Sequence, residues 1–267
     1  MTRSENPAFI SFSNKENGLI FDDSNHDSYP IKYYNVLCGE LPPLKTYCSY
    51  FGYVYEGICH LSSAGRPPMI LVNGMYFSLT GDFVINKGYG SKVVLIEVFH
   101  ERGKYPETNF RALNNFGGPI EQEGRLKYID GCTDSLLIPP VKLGDPCLNH
   151  LHFPKGITQT QHTHPSHRIG IVADGEGECI TPFGNLPLTK GMIFVIKQYD
   201  GKTMSKGLDG KMYPQGQHSF DTKDKSMDVI AFHPDSDFGA TDVVHPMINR
   251  TIVDGVSASA IDKIRTK

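Results

Sequence analysis

Residues 156–177 read GITQTQHTHPSHRIGIVADGEG, a stretch in which three histidines and an arginine fall within seven positions. An apolar run and a glycine turn follow at once, which is typical of a β-strand that ends in a tight turn. Side chains on a strand alternate between its two faces. The stretch therefore predicts a strand that places His162, His164 and Arg168 on one face and His167 on the other.

The paired histidines predict a metal site. Imidazoles at positions i and i+2 of a strand point to the same place, so His162 and His164 are a candidate pair of ligands. A third ligand has to come from a neighbouring strand, and His218, which is followed by Phe220 on the same face, is the candidate. Three neutral imidazoles leave coordination positions open, which is typical of a catalytic site rather than a structural one. The alternative is that these histidines hydrogen-bond one another without a metal.

The rest of the chain predicts an all-β protein. Its 267 residues include 27 glycines and 18 prolines, which punctuate short runs rich in β-branched and aromatic residues. Two stretches also echo each other, because VYEGICH leads to FSLTGDFVI and VADGEGEC leads to LPLTKGMIFVI. Each reads as a strand, a glycine turn and a return strand, which indicates an internal duplication.

Charge and hydropathy narrow the classes of partner. The formal net charge is -3 and the charged residues are scattered, so we expect neither a nucleic acid nor a membrane surface as partner. No apolar run approaches the roughly 18–20 residues of a membrane span, and the N-terminal residues do not read as a secretory signal. We therefore expect a cytoplasmic protein, a monomer or a homodimer, whose six cysteines are reduced and packed.

The histidine spacing is similar to a known family motif. Gly156, five residues, His162, one residue, His164 and then Gly175 at the turn resemble the first motif of the cupin superfamily. The HSF at 218–220 resembles the end of the second cupin motif. Cupins are small β-barrels of the jelly-roll type. The resemblance implies that the paired histidines and the later one hold a single divalent metal ion.

The resemblance also suggests how the chain is divided. It covers residues 130–235 well, and it extends to residues 48–100 as a barrel without paired histidines. It implies an all-β bicupin, with two tandem jelly-roll barrels of which the N-terminal one is degenerate. We accordingly predict an N-terminal arm over 1–45, a degenerate cupin-like barrel and linker over 46–125, and a metal-binding barrel with a C-terminal tail over 126–267.

Two features depart from the family pattern. The glutamate that many cupins place after the histidine pair is replaced by Arg168, so three histidines would hold the metal without a carboxylate. An insertion over 199–217 precedes the last histidine, and it is a candidate for a lid or for a surface loop.

Glutamate-free three-histidine cupin sites resemble those of non-haem iron(II) dioxygenases. The resemblance implies an Fe(II)-dependent dioxygenase, an oxidoreductase that acts on a small anionic organic substrate. Zinc, nickel, manganese and copper stay open as alternatives, because histidine ligands do not single out one metal. Two other functions also stay open: a redox-neutral isomerase or lyase that uses the metal as a Lewis acid, and a non-catalytic small-molecule-binding protein.

Arg168 is the residue that favours an anionic substrate. At about 7 Å from a divalent ion and an effective dielectric of about 20, its charge would be repelled by roughly 4–5 kcal/mol unless an anion lay between them. We therefore predict that Arg168 clamps a carboxylate or enolate bound to the metal. The alternative is an ion pair with an acidic neighbour such as Glu178. Tyr213, beside the last ligand, is a candidate acid or hydrogen-bond donor to the substrate.

Three other histidines are weaker candidates for the site. We expect His167 to face away from the ligands as long as its strand is regular. His150 and His152 form a second i and i+2 pair one strand earlier, so one of them is a candidate to face the cavity.

Overall fold

The computed structural model describes most of the chain as an all-β protein, which confirms the predicted fold class. Its described residues form twenty-three strands, and no helix among them is long and apolar enough to cross a membrane. The described residues are 3–37, 44–45, 47–63, 65, 67–81, 83–88, 90–99, 114–141, 144–235, 252–253 and 256–257.

The strands are short, and many of the turns between them contain glycines with positive φ. In chain order, the first eleven are β1 (Ser4–Glu5), β2 (Phe9–Phe12), β3 (Gly18–Asp23), β4 (Ile31–Val36), β5 (Cys48–Glu56), β6 (Ile58–Ser63), β7 (Met69–Val72), β8 (Tyr76–Thr80), β9 (Phe83–Lys87), β10 (Lys92–Phe99) and β11 (Asn115–Gly117). The other twelve are β12 (Leu126–Lys127), β13 (Thr133–Ile138), β14 (Cys147–Phe153), β15 (Arg168–Ile180), β16 (Leu186–Thr189), β17 (Ile193–Ile196), β18 (Met204–Lys206), β19 (Met212–Pro214), β20 (Ser219–Asp221), β21 (Met227–His233), β22 (Ile252–Val253) and β23 (Val256–Ser257).

Each half is a pair of facing sheets that does not close into a complete barrel. In the first half, a sheet of six strands in the order β11-β8-β5-β10-β4-β3 faces the three strands β7-β6-β9. In the second half, the strand order is β1-β2-β17-β15-β21-β14-β13-β12, and the far end of β15 pairs with β16 and β20 to make the opposite sheet. Apolar side chains fill the space between the facing sheets of each half.

A third apolar cluster joins the two halves. It lies between the large sheets, and it includes Tyr33 and Phe51 from the first half and Ile169 and Phe232 from the second. The Tyr33 hydroxyl also donates a hydrogen bond to the carbonyl oxygen of Gly170 across this boundary (3.2 Å). The two halves are therefore packed through a shared core.

The described residues of the predicted N-terminal arm over 1–45 form strands in both halves. Its first strands extend the sheet of the second half, because β2 pairs with β17 from Phe12 opposite Ile193 to Phe9 opposite Ile196. The following strands β3 and β4 belong to the first half, where β4 pairs with β10. A polar segment broken by prolines gave no sign of this pairing, since its partners lie far along the chain. The proposed domain boundaries stay predictions, and most of the predicted C-terminal tail lies outside the described residues.

Matching hydrogen bonds show that the two halves repeat the same frame. The Gly74 N–H donates to the Val54 carbonyl at 2.8 Å, and the Gly191 N–H donates to the Val172 carbonyl at 2.7 Å. MILVNGMYFSL at 69–79 is therefore the equivalent of LPLTKGMIFVI at 186–196. The sequence echo indicated the duplication correctly, but it paired the second stretch with FSLTGDFVI, which was the wrong register.

The same close packing contact recurs in both halves. A Cβ atom added at Gly52 would overlap the ring of Phe77, and one added at Gly170 would overlap the ring of Phe194. Both phenylalanines are buried. Each glycine therefore makes room for the aromatic ring of the neighbouring strand.

We predict that Gly52→Ala and Gly170→Ala each lower the free energy of unfolding by roughly 1–3 kcal/mol, because the added methyl group overpacks a filled core. The double variants Gly52→Ala/Phe77→Leu and Gly170→Ala/Phe194→Leu replace the opposing ring with a smaller side chain. Each should lose less unfolding free energy than the sum of its two single changes. Denaturant unfolding measures all of these, with the exposed change Asn86→Ala as the control. Alanine variants as stable as the parent would contradict the packing.

Candidate metal centre

Three histidines converge at the open side of the second half. The predicted strand begins only at Arg168, so His162 and His164 lie in the loop before β15. The backbone of His162 exchanges two hydrogen bonds with His218, at 2.9 and 3.0 Å. The imidazole ring centroids of His162, His164 and His218 lie 4.6 to 5.2 Å apart. One nitrogen atom from each ring lies within 4.8 Å of the others. The three histidines that the sequence singled out are thus brought together in a group that could hold a metal ion.

Backbone carbonyls orient two of the rings. The Nδ1 atoms of His162 and His218 lie 2.8 Å from the carbonyl oxygens of Thr160 and Gly216, respectively. A carbonyl only accepts hydrogen bonds, so each Nδ1 carries a proton, and in a neutral ring Nε2 is then the unprotonated nitrogen. The Nε2 atom of His218 is buried and makes no hydrogen bond within the described residues. A buried lone pair without a donor is what a metal ligand provides, so this donor set fits a metal ion.

Burial keeps two of the ligands neutral. Burial is the main cause that lowers the pKa of His164 well below its ordinary value, and the charge of Arg168 and the other histidines add to it. Burial also lowers the pKa of His218 well below its ordinary value, with a further contribution from His162. Neutral imidazole is the form that binds metals, so both side chains are ready to coordinate at neutral pH.

The histidines face a small cavity between the two sheets. Its volume is about 30 Å³, which is room for one or two water molecules. The residues that line it include one arginine and no carboxylate. They are Tyr128, Leu151, Phe153, Gln159, His162, His164, Arg168, Phe194, Ile196, His218, Phe220, Val229, Ala231 and His233.

Arg168 reaches this cavity, and it has an acidic partner behind it. Its Nη1 atom lies 3.0 Å from Oδ1 of Asp235 and also donates to the hydroxyl of Ser166. Arg168 and Asp235 are both buried. Glu178, the acidic neighbour suggested by the sequence, instead lies near the far end of β15, opposite Asp221. Asp235 was missed because nothing in the local sequence links the end of β21 to the start of β15.

Tyr213 does not reach the site. The insertion over 199–217 folds into the hairpin β18–β19, and the Tyr213 hydroxyl donates to the exposed Asp209 at 2.7 Å. Its ring lies near Phe183 and is absent from the cavity lining. The prediction that Tyr213 acts on the substrate is therefore not supported. Tyr213 is close to His218 in the sequence, but it lies on the hairpin β18–β19 and not at the cavity.

The other histidines have partners away from the ligands. His167 faces away, as predicted, because its Nδ1 accepts the Gln198 N–H at 3.0 Å and its Nε2 lies 3.3 Å from Asp23. His150 and His152 both contact Oδ1 of Asp228 at 2.8 Å.

The face of β14 that these two histidines occupy is opposite to the cavity. Leu151 and Phe153 alternate with them along the strand and line the cavity. The second pair of histidines therefore stays outside the candidate site.

Two cavity residues gave no signal in the sequence. Tyr128 lies before β13 and His233 ends β21, and neither belongs to a recognisable motif. Both residues were identified only in the structure, where the sheets bring segments that are distant in sequence to one cavity.

The first half lacks an equivalent ligand. Gly57 and Gly175 hold equivalent positions in the repeated frame, so the strand pairings that follow them can be aligned. In this alignment Phe83 lies where the second half has His218. Phe83 is buried and has no atom that binds a metal. Among the described residues, the three histidines of the second half are the group that could hold a metal ion.

Solved structures share this fold, whereas no family model and no curated protein matches the sequence. A glyoxylate-induced protein from Pseudomonas aeruginosa is similar at a TM-score of 0.61 and 11% identity, over 87% of this chain and 91% of that one. Protein Ylba from E. coli gives 0.54 and 15% identity, with 88% of each chain covered. A cupin 2 conserved barrel domain protein from Leptotrichia buccalis gives 0.51 and 15% identity, over 86% and 90%.

These similarities extend over both halves, so they concern the whole arrangement rather than one barrel. At this level of identity they bear on the fold alone. Together with the repeated frame and the buried Phe83 in the first half, they define the architecture. The chain has the cupin fold in a bicupin arrangement, with a degenerate N-terminal barrel.

Proposed function

We propose that His162, His164 and His218 hold a divalent metal ion, Fe(II), and that the protein is a dioxygenase for a small anionic organic substrate. The observation that carries this proposal is the convergence of three imidazoles on a cavity whose lining contains no carboxylate. Iron(II) would supply open coordination positions for substrate and dioxygen, together with the electrons that dioxygen activation requires.

The charge of the cavity favours an anion. With neutral histidines as ligands, a divalent ion would keep its full charge, and Arg168 would add a second positive centre at the same cavity. Asp235 offsets part of the arginine charge from behind, so it also holds the guanidinium in place. A carboxylate or enolate that enters the cavity would gain from both positive centres. This supports Arg168 as the residue that binds the anionic end of the substrate.

The shape and lining of the cavity favour a small substrate and limited access of water. The space is about 30 Å³, so a bulky molecule would need side chains to move. Much of the wall is apolar, with Phe153, Phe194 and Phe220 among the lining residues. An apolar wall keeps competing water away from a reactive centre.

The reaction class has a direct test. We expect protein loaded anaerobically with Fe(II) to consume dioxygen in the presence of one or more members of a panel of small 2-hydroxy and 2-oxo acids, phenols, diketones and thiols. An oxygen electrode measures the consumption, and zinc-loaded protein and His164→Ala are the controls. Product formation without dioxygen consumption would contradict the dioxygenase and favour the redox-neutral isomerase or lyase. Binding without any turnover would favour the binding protein.

The neutral histidines also predict how the metal-free protein responds to acid. His164 and His218 have lowered pKa values when folded, so only the unfolded chain binds their protons just below the ordinary pKa of 6.5. The contribution of these two histidines to the free energy of unfolding is therefore fully present well above pH 6.5. It falls as the pH drops below 6.5, by up to about 1.4 kcal/mol per pH unit for each histidine.

Denaturant unfolding of metal-free protein over a pH series measures this slope. His164→Gln should reduce the slope by about one histidine's share, whereas the exposed change His60→Gln should leave it as in the parent. A slope that His164→Gln does not alter would show that this histidine is not held neutral by the fold.

A further inference from the structure

Tyr128 is fixed beside the candidate metal centre by a short turn. It precedes the 3-10 turn Ile129–Gly131, and its N–H donates to the Cys132 carbonyl at 2.9 Å. The carboxylate of Asp130 accepts the N–H of Thr160 at 2.8 Å. The carbonyl of Thr160 in turn accepts the Nδ1–H of His162. The segment that carries Tyr128 is thus tied directly to the loop that carries the first ligand.

Tyr128 brings a hydroxyl group, which is a hydrogen-bond donor, to the cavity wall. Its side chain lines the cavity together with the three histidines and Arg168. It makes no hydrogen bond to any residue that the structure describes. Burial is the main cause that raises the pKa of this hydroxyl, and the nearby Asp134 adds to the effect while Arg168 opposes it. The group therefore stays protonated at neutral pH and can donate a hydrogen bond.

Arg168 brings a second donor to the same cavity from a different element. Its Nε–H is buried and makes no hydrogen bond within the described residues, although Nη1 is paired with Asp235. Polar groups that are buried without a partner are rare, and each calls for an explanation. This buried donor, together with the Tyr128 hydroxyl at the same cavity, is explained by an oxygen-rich anion that binds there.

We propose that Tyr128 is a substrate-binding residue whose hydroxyl donates a hydrogen bond to a carboxylate oxygen of a small 2-hydroxy or 2-oxo acid. This inference rests on the proposed metal centre. Such an acid chelates a metal through its 2-oxygen and one carboxylate oxygen, which leaves the second carboxylate oxygen to accept hydrogen bonds. Tyr128 and Arg168 are two donors at this cavity that can bind this third oxygen.

Two small chelators separate this role from a general structural one. Glycolate and acetohydroxamate both bind a metal as small monoanions through two oxygens, but glycolate alone has a third oxygen. Protein loaded with Co(II), which is less readily oxidised than Fe(II), is titrated with each probe by calorimetry and by visible absorption. The variant is Tyr128→Phe, and the matched control is Tyr213→Phe on the surface hairpin.

We expect Tyr128→Phe to weaken glycolate binding about tenfold, as loss of a hydrogen bond to a charged group predicts, and to change acetohydroxamate binding by less than about twofold. Tyr213→Phe should leave both affinities as in the parent. Equal losses for the two probes, or no loss for glycolate, would overturn the role of Tyr128 while the metal centre stands. Failure of the parent to bind Co(II) would overturn the metal centre, and the role of Tyr128 with it.

Discussion

The pair of backbone hydrogen bonds between His162 and His218 is the constraint on which the site depends. It joins the loop before β15 to the residue that precedes β20, and these two segments are far apart in the sequence. The carbonyls of Thr160 and Gly216 then orient the two rings so that the unprotonated nitrogens meet. His164 completes the group because it lies two positions after His162, so one local bridge positions the whole set of ligands.

The two halves show how one frame serves two purposes. In the first half, the buried Glu97 accepts hydrogen bonds from Tyr34 and Tyr50 and pairs with Lys45, so its polar groups are satisfied within the protein. Tyr50 precedes its close-packed glycine by two residues, as Arg168 precedes its own. In the second half that position faces a cavity, and the Nε–H of Arg168 there makes no hydrogen bond within the described residues. At this position the first half is therefore filled by its own paired side chains, whereas the second half has a cavity.

Much of this could be predicted from the sequence, because alternation along a strand is a local rule. It predicted that His162 and His164 point to one place and that His167 turns away, and both hold, although His162 and His164 lie in the loop before β15 and not on the strand itself. The HSF at 218–220, which resembles a family motif, identified His218. Long-range pairing obeys no such rule. For this reason the strands near the N-terminus, the partner of Arg168 and the place of Tyr128 were visible only in the fold. The role given to Tyr213 failed because proximity in sequence to a ligand does not survive a hairpin insertion.

The most direct test of the account is the metal content of protein purified without an affinity histidine tag and loaded anaerobically with Fe(II). Elemental mass spectrometry would compare the parent with His218→Phe, which introduces the residue found at the equivalent position of the first half, and with the exposed control His60→Gln. We predict about one metal ion per chain in the parent and the control, and almost none in His218→Phe. A parent without metal, or equal metal in all three proteins, would contradict a three-histidine metal centre.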